Sequence, residues 1–203
     1  MSSPRPIDSV PAAPAAEHDP IARIVTAARE CFRERGVAKT RMGLIAERAG
    51  MARQTLYDFV ANKTEIVDLA LADRIGELVA AVRADESAEP ARTLPERLVE
   101  VLARAVEVSR DDPEFVSLAA GLDERHAFQY IAGPSRLTDL LTEVAGELIE
   151  AGRAQGIVRD DVAPRAIILW LQGMLAALVA RDDLGAAELR ETLRDFALPA
   201  VLR

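Results

Sequence analysis

With 203 residues, half of them hydrophobic, the chain can bury a sizeable core, and its single cysteine, Cys31, excludes an internal disulfide framework and suits a reducing compartment. No apolar run approaches the roughly 20 residues that cross a bilayer, and residues 1–19 lack the apolar stretch of a secretory signal, so a soluble, cytoplasmic protein is expected. The net charge of −8 hides a split: nine Lys/Arg against five acids between Pro20 and Glu65 give +4, leaving −12 for the remainder, the asymmetry of a chain with one segment that meets a polyanion.

Residues 1–19, rich in Pro, Ala and Ser, show no periodicity and read as a disordered tail. Pro20 opens a helix on which Ile21, Ile24, Val25, Ala28 and Phe32 recur at helical spacing, and Gly36 ends it. A second short helix runs from about Met42 to Ala49 with Leu44, Ile45 and Ala49 inward. The "AGM" stretch (49–51) then makes the bend, where Gly50 can take the positive φ other residues resist. The third helix is "RQTLYDFV" (53–60). Asn62, followed three positions later by Glu65, is a capping box that starts a fourth helix carrying Ile66, Leu69, Ala70 and Leu78 towards Arg83.

Residues 83–93 are polar and read as a loop. Beyond them every segment is helical in pattern, over about 94–110, 113–131, 135–155, 164–182 and 186–202. Asp112-Pro113 supplies an N-cap with proline at the first helical position, and Gly133-Pro134 breaks the chain between two helices. No strand-like alternation and no fixed-period repeat occur. The expected fold is all-α: a disordered tail (1–19), a three-helix domain (20–65) and a helical body (66–203).

The third helix keeps little for the core. On a helical wheel with Leu56 inward, Phe59 and Val60 fall on the same side, Gln54 and Asp58 point almost opposite, and Thr55 and Tyr57 flank them. A solvated surface helix has this pattern, and so does the second helix of a helix-turn-helix, whose outer face reads the major groove. Gln54 suits adenine, Arg53 guanine, and the Thr55 methyl can meet that of thymine. Tyr57 and Lys63 suit phosphate, as does the start of the second helix at Thr40 and Arg41, where free backbone N–H groups favour an anion.

Over residues 21–72 the chain resembles the N-terminal domain of TetR-type transcriptional regulators. The matching features are Ala27-Ala28, Phe32, Gly36, Thr40, Ile45-Ala46, Ala49-Gly50, Leu56-Tyr57 and Lys63, in order and at the family's spacing. Val60 stands where the family more often has phenylalanine, and Asp58 faces the groove side, where it can accept from cytosine N4 or repel wrong sequences. The resemblance implies a repressor that binds a palindromic operator as a homodimer, with a C-terminal bundle for dimerisation and for a small-molecule inducer.

For the dimer, the resemblance implies pairing of the 135–152 and 164–180 helices, with Leu137, Leu141, Val144, Leu148, Ile168, Leu171 and Leu175 as interface candidates. For the inducer pocket, the aromatic and mixed side chains of the body are candidates: Phe115, Leu118, Leu122, His126, Gln129, Tyr130, Trp170 and Met174. Aromatic residues at helical spacing are also ordinary core.

No cofactor or metal is implied, and the effector is unnamed by the sequence. An enzyme is disfavoured, because no nucleophile–base set, Gly-rich phosphate loop or HExxH is present. A helical protein–protein adaptor using the apolar 164–180 stretch is the rival, but it leaves the basic first domain unexplained.

Overall fold

Every regular element in the computed structural model of the chain is helical. It describes residues 19–86, 93–132 and 136–203, except for the side chains of residues 85–86, 129–132, 136, 144, 147 and 148. Apart from Asp19, the expected tail lies outside the described residues, as do most of the 83–93 loop and the Gly133-Pro134 break.

Helix α1 (Pro20–Arg35) starts at Asp19, whose carboxylate accepts the Ile21 N–H at 2.9 Å. Helices α2 (Met42–Arg48) and α3 (Arg53–Phe59) follow, joined through Gly50 at φ 65°. At this φ a side chain would be strained, so glycine is the fitting residue. Helix α4 (Lys63–Glu86) begins with the expected capping device: Asn62 Oδ1 accepts the Glu65 N–H at 2.9 Å. Glu65 reaches back to the N–H of Ala61 at 2.7 Å, one residue before the Asn62 that a strict capping box engages.

Ile24, Ala28, Cys31 and Phe32 of α1 pack with Ile45 of α2, Leu56 of α3 and Ile66, Val67, Ala70 and Leu71 of α4. The boundary expected at residue 65 therefore falls inside α4, whose first turns complete the N-terminal core. Leu118 and Leu137, from the body, also join this cluster.

The body consists of α5 (Leu94–Asp111), α6 (Pro113–Ala119), α7 (Glu124–Ala132), α8 (Arg136–Ala154), α9 (Pro164–Val179), α10 (Ala186–Thr192) and α11 (Leu198–Val201). The expected 113–131 helix is broken at 120–123. There Gly121 meets α1's following loop so closely that a Cβ on it would lie 2.7 Å from Val37 Cγ1. The expected 186–202 helix contains a π-helical turn at Leu193–Ala197. Pro199 has no N–H for the Asp195 carbonyl, so the regular ladder cannot continue through it.

Two further apolar clusters form the body. Val99, Leu102, Ala103 and Val106 of α5 pack with Leu178, Leu189 and Leu193, and Ile149, Val158, Ile167, Ile168 and Val201 gather at the other end. No described helix is long and apolar enough to cross a membrane.

Candidate nucleic-acid interface and effector cavity

Only one side chain of α3 is buried. Leu56 is fully buried while Arg53, Gln54, Thr55, Tyr57, Asp58 and Phe59 are exposed. Phe59 departs from the wheel, at 40 % exposure. The helix ends there and Val60 is extended (φ −140°, ψ 132°), so Val60 takes the inward position that continued helix would share with Phe59. Arg53 lies over the Tyr57 ring, 5.6 Å from its centroid, with Nη2 3.4 Å from the Tyr57 hydroxyl. This stacking restrains a long side chain on the outer face.

The turn before α3 is held from α1. Arg23 Nη2 donates to the Ala49 carbonyl at 2.5 Å, and Arg48 on α2 holds Glu30 and Glu34 of α1 at 3.1 and 2.8 Å. Thr40 is turned inward, 2 % exposed, its hydroxyl donating to the carbonyls of Gly36 (2.9 Å) and Cys31 (3.2 Å). That side chain ties the 36–41 loop to the end of α1, whereas the phosphate contact expected here is through backbone N–H groups at the start of α2. Lys63 points at the same loop, donating to the carbonyls of Val37 (2.9 Å), Ala38 and Thr40 (both 3.3 Å). Lys39 and Arg41, on the loop so held, are exposed. A cleft of about 480 Å³ runs between this loop and α3, with Arg41, Gly43, Glu47, Arg53 and Lys63 among its lining residues.

The basic charge of the first domain thus divides by use. Arg23, Arg29, Arg48 and Lys63 brace the fold, while Arg33, Arg35, Lys39, Arg41 and Arg53 are exposed. Sequence reasoning passed over Lys39; its only signal is its place in the loop that Thr40 anchors.

The two halves meet at an ion cluster. Arg29, 9 % exposed, donates from Nε to Glu114 (2.7 Å) and from Nη1 to Asp73 and Glu77 (both 2.5 Å). Arg74 pairs with Glu77 and holds Asp112 at 3.0 and 2.5 Å, and Asp112 in turn caps α6 by accepting the Phe115 N–H at 2.6 Å. Glu77 is held down at about 2, chiefly by its hydrogen bond from Arg29, with Arg74 adding to it against the opposing effect of burial. Helices α1, α4 and α6 are therefore joined by charge.

The body holds a partly open apolar cavity of about 220 Å³ between α4, α5, α8 and α9. An inner chamber of about 110 Å³ adjoins it, sharing Val79, Val82, Ala105, Leu141, Gln172 and Leu175, and reaches Phe115 on α6.

Most pocket candidates lie elsewhere. Phe115 lines the inner chamber, but Leu118 and Leu122 belong to the N-terminal core, and Met174 packs against the α5 cluster. His126 sits at the surface against Asp123 (2.7 Å), and Trp170 is 45 % exposed. The side chains of Gln129 and Tyr130 lie outside the described residues.

The dimer candidates are displaced in the opposite sense. Leu141, Ile168, Leu171 and Leu175 line the cavity, and Leu137 and Ile168 are buried within the chain. Val144 and Leu148 lie outside the described side chains. The face of α9 turned outward carries Ala166, Trp170 and Ala177. The reason is physical: a helix apolar on nearly every side gives no sequence signal for which side faces its own domain.

Residues 24–70 match the family model described as bacterial regulatory proteins, tetR family. Over that stretch the chain carries a TetR-type N-terminal domain. Two curated proteins, the HTH-type transcriptional regulator TtgR and the probable HTH-type transcriptional regulator ArpR, both of Pseudomonas putida, are each 35 % identical to this chain over 89 residues. That stretch is 42 % of this chain and 42 % of each relative, so the chain spans about two-fifths of the length of the relatives it matches.

Solved structures extend the likeness to the TetR fold as a whole. The transcriptional repressor QsdR of R. erythropolis superposes with a TM-score of 0.65 at 21 % identity, covering 90 % of this chain and 94 % of that one. RolR without ligand gives 0.63 at 16 % (89 % and 93 % covered), and the TetR-family repressor AlkX from Dietzia sp. gives 0.62 at 16 % (90 % and 95 %).

Proposed function

We propose that the chain is a cytoplasmic, homodimeric transcriptional repressor that binds a palindromic operator and leaves it when a small molecule occupies the cavity between α4, α5, α8 and α9. The observation that carries this reading is α3 itself, a helix anchored through Leu56 with six polar or aromatic side chains left outside. Arg53, Gln54, Thr55 and Tyr57 read bases, Lys39 and Arg41 hold the flanking phosphates, and Thr40 and Lys63 position the loop that bears them. The outward face of α9, with Trp170 between Ala166 and Ala177, meets a second copy. Two-fold symmetry then sets two half-sites.

Release requires a ligand that favours a state in which the two α3 helices no longer fit the operator together. Support for a route lies in α6, where Phe115 faces the inner chamber while its neighbour Glu114 holds Arg29 of α1.

The test is selection of bound duplexes from a random DNA pool with the wild type and with Gln54→Ala/Tyr57→Ala. An enriched palindrome that the double variant no longer recovers is the expected result, with affinity falling steeply as salt rises. No enrichment for the wild type at low salt sinks the reading and leaves α3 as a solvated face.

A further inference from the structure

We infer that the effector is an elongated apolar molecule with an anionic, oxygen-bearing head, held in the cavity with its head at Arg83 and Arg97. The inference rests on the ligand-release reading above and concerns the same cavity.

The walls decide the body of the ligand. Across both chambers the lining is aliphatic apart from Gln172, Ser109, Phe115 and two arginines. A hydrocarbon gains about 25 cal/mol for each Å² it buries on such a surface, whereas a polar body would lose hydrogen bonds to water without replacement. The shape is elongated, because α4 contributes to both chambers: from Ile75 in the inner chamber to Arg83 in the outer one is about 12 Å along the helix axis at 1.5 Å per residue.

The charge decides the head. Among the described residues, Arg83 and Arg97, both exposed, are the only charged side chains lining either chamber. They stand at one end, where α4 finishes and α5 begins. The described lining at this end is positive, in a part of the chain whose overall balance is strongly acidic. A guanidinium has five donors in a planar fork, so each arginine can keep its protein neighbours and still offer N–H groups to a carboxylate or phosphate. A cation would be repelled there, and a neutral alcohol would receive a weaker hydrogen bond.

The experiment is isothermal titration of the full chain at neutral pH with decanoate, decyl phosphate, decanol and decyltrimethylammonium, each below its micellar concentration. We expect decanoate or decyl phosphate to bind at least about tenfold tighter than decanol, and the ammonium weakest, as charge-assisted hydrogen bonds require. Which of the two anions binds tighter tells carboxylate from phosphate. In Arg83→Gln/Arg97→Gln that advantage falls to about threefold or less while decanol binding is unchanged, which also shows that the variant is folded. Ala145→Met, filling the cavity's middle, weakens decanoate and decanol alike.

Equal binding of decanol and both anions, or an anion advantage that survives the double substitution, overturns the head-group assignment but leaves the cavity as an effector site. Failure of all four probes to bind the wild type overturns the cavity reading as well.

Discussion

The two halves of the molecule solve the same problem with different materials. The N-terminal domain is small, and polar clamps supplement its core: Arg23 on the turn carbonyl, Arg48 on Glu30 and Glu34, Thr40 and Lys63 on the 36–41 loop. The body has clamps of its own, Arg110 on the Leu178 and Leu184 carbonyls and Arg190 on Glu100 and Glu107. Around the cavity, however, its faces are aliphatic and leave room between α4, α5, α8 and α9. A surface that must present one fixed geometry is braced by directional bonds. A region that must take in a ligand is lined by non-directional contacts that tolerate rearrangement.

The sharpest way to break this contrast is at Leu56. Leu56→Ala removes the buried anchor of α3 and is expected to cost about 3 kcal/mol, as large-to-small core changes do, measured by urea unfolding. A loss below about 1 kcal/mol would mean that α3 is held by something other than its core contact.

Next is the joint between the halves. Arg29→Ala leaves Glu77, Glu114 and Asp73 facing one another and is expected to cost about 2 kcal/mol, below the figure for a fully buried pair because Asp73 and Glu77 are about half exposed. The pH dependence follows from Glu77. Its folded value, about 2, lies below its ordinary value of 4.5, so its contribution is present above about pH 4.5 and is lost as pH falls towards 2. The wild type should therefore lose stability over that window, and the Arg29→Ala protein should lose less. Equal acid sensitivity of the two would remove Arg29 as the cause.

A smaller effect is expected at the α6–α7 turn. Gly121→Ala drives a methyl into Val37 and should cost about 1–2 kcal/mol by overpacking, largely restored by adding Val37→Ala. Smallest is Arg48→Ala, whose partners are 44 % and 50 % exposed. Its urea midpoint should fall only slightly below that of the wild type, as for an exposed pair. No shift at all would show that Arg48 does not brace α1 against α2, and a large one that the clamp is more than a surface pair.

Much of the fold was legible because it depends on neighbours in sequence. Asp19-Pro20, Asn62 with Glu65 and Asp112-Pro113 start helices through bonds that span two or three residues, and each stands where the sequence places it. The outward set on α3 was equally legible, since about half a turn of the wheel separates Leu56 from Gln54 and Asp58. The exceptions are places where distant chain intervenes. Val37 packs against Gly121, 84 residues on along the chain, where the expected 113–131 helix is interrupted, and the Thr40 side chain serves the end of α1.

By itself, then, the sequence determined the helices, their caps, the helix-turn-helix and which side of α3 is turned outward, because each is written in spacings shorter than one or two turns. Only the tertiary structure decided which face of α9 lines the cavity, which cations of the first domain brace and which stand outward, and that Arg83 and Arg97, from two helices, share one chamber. An apolar helix has no preferred direction until its neighbours are placed, and a charged side chain has no assigned partner until long-range contacts bring one within a few ångströms.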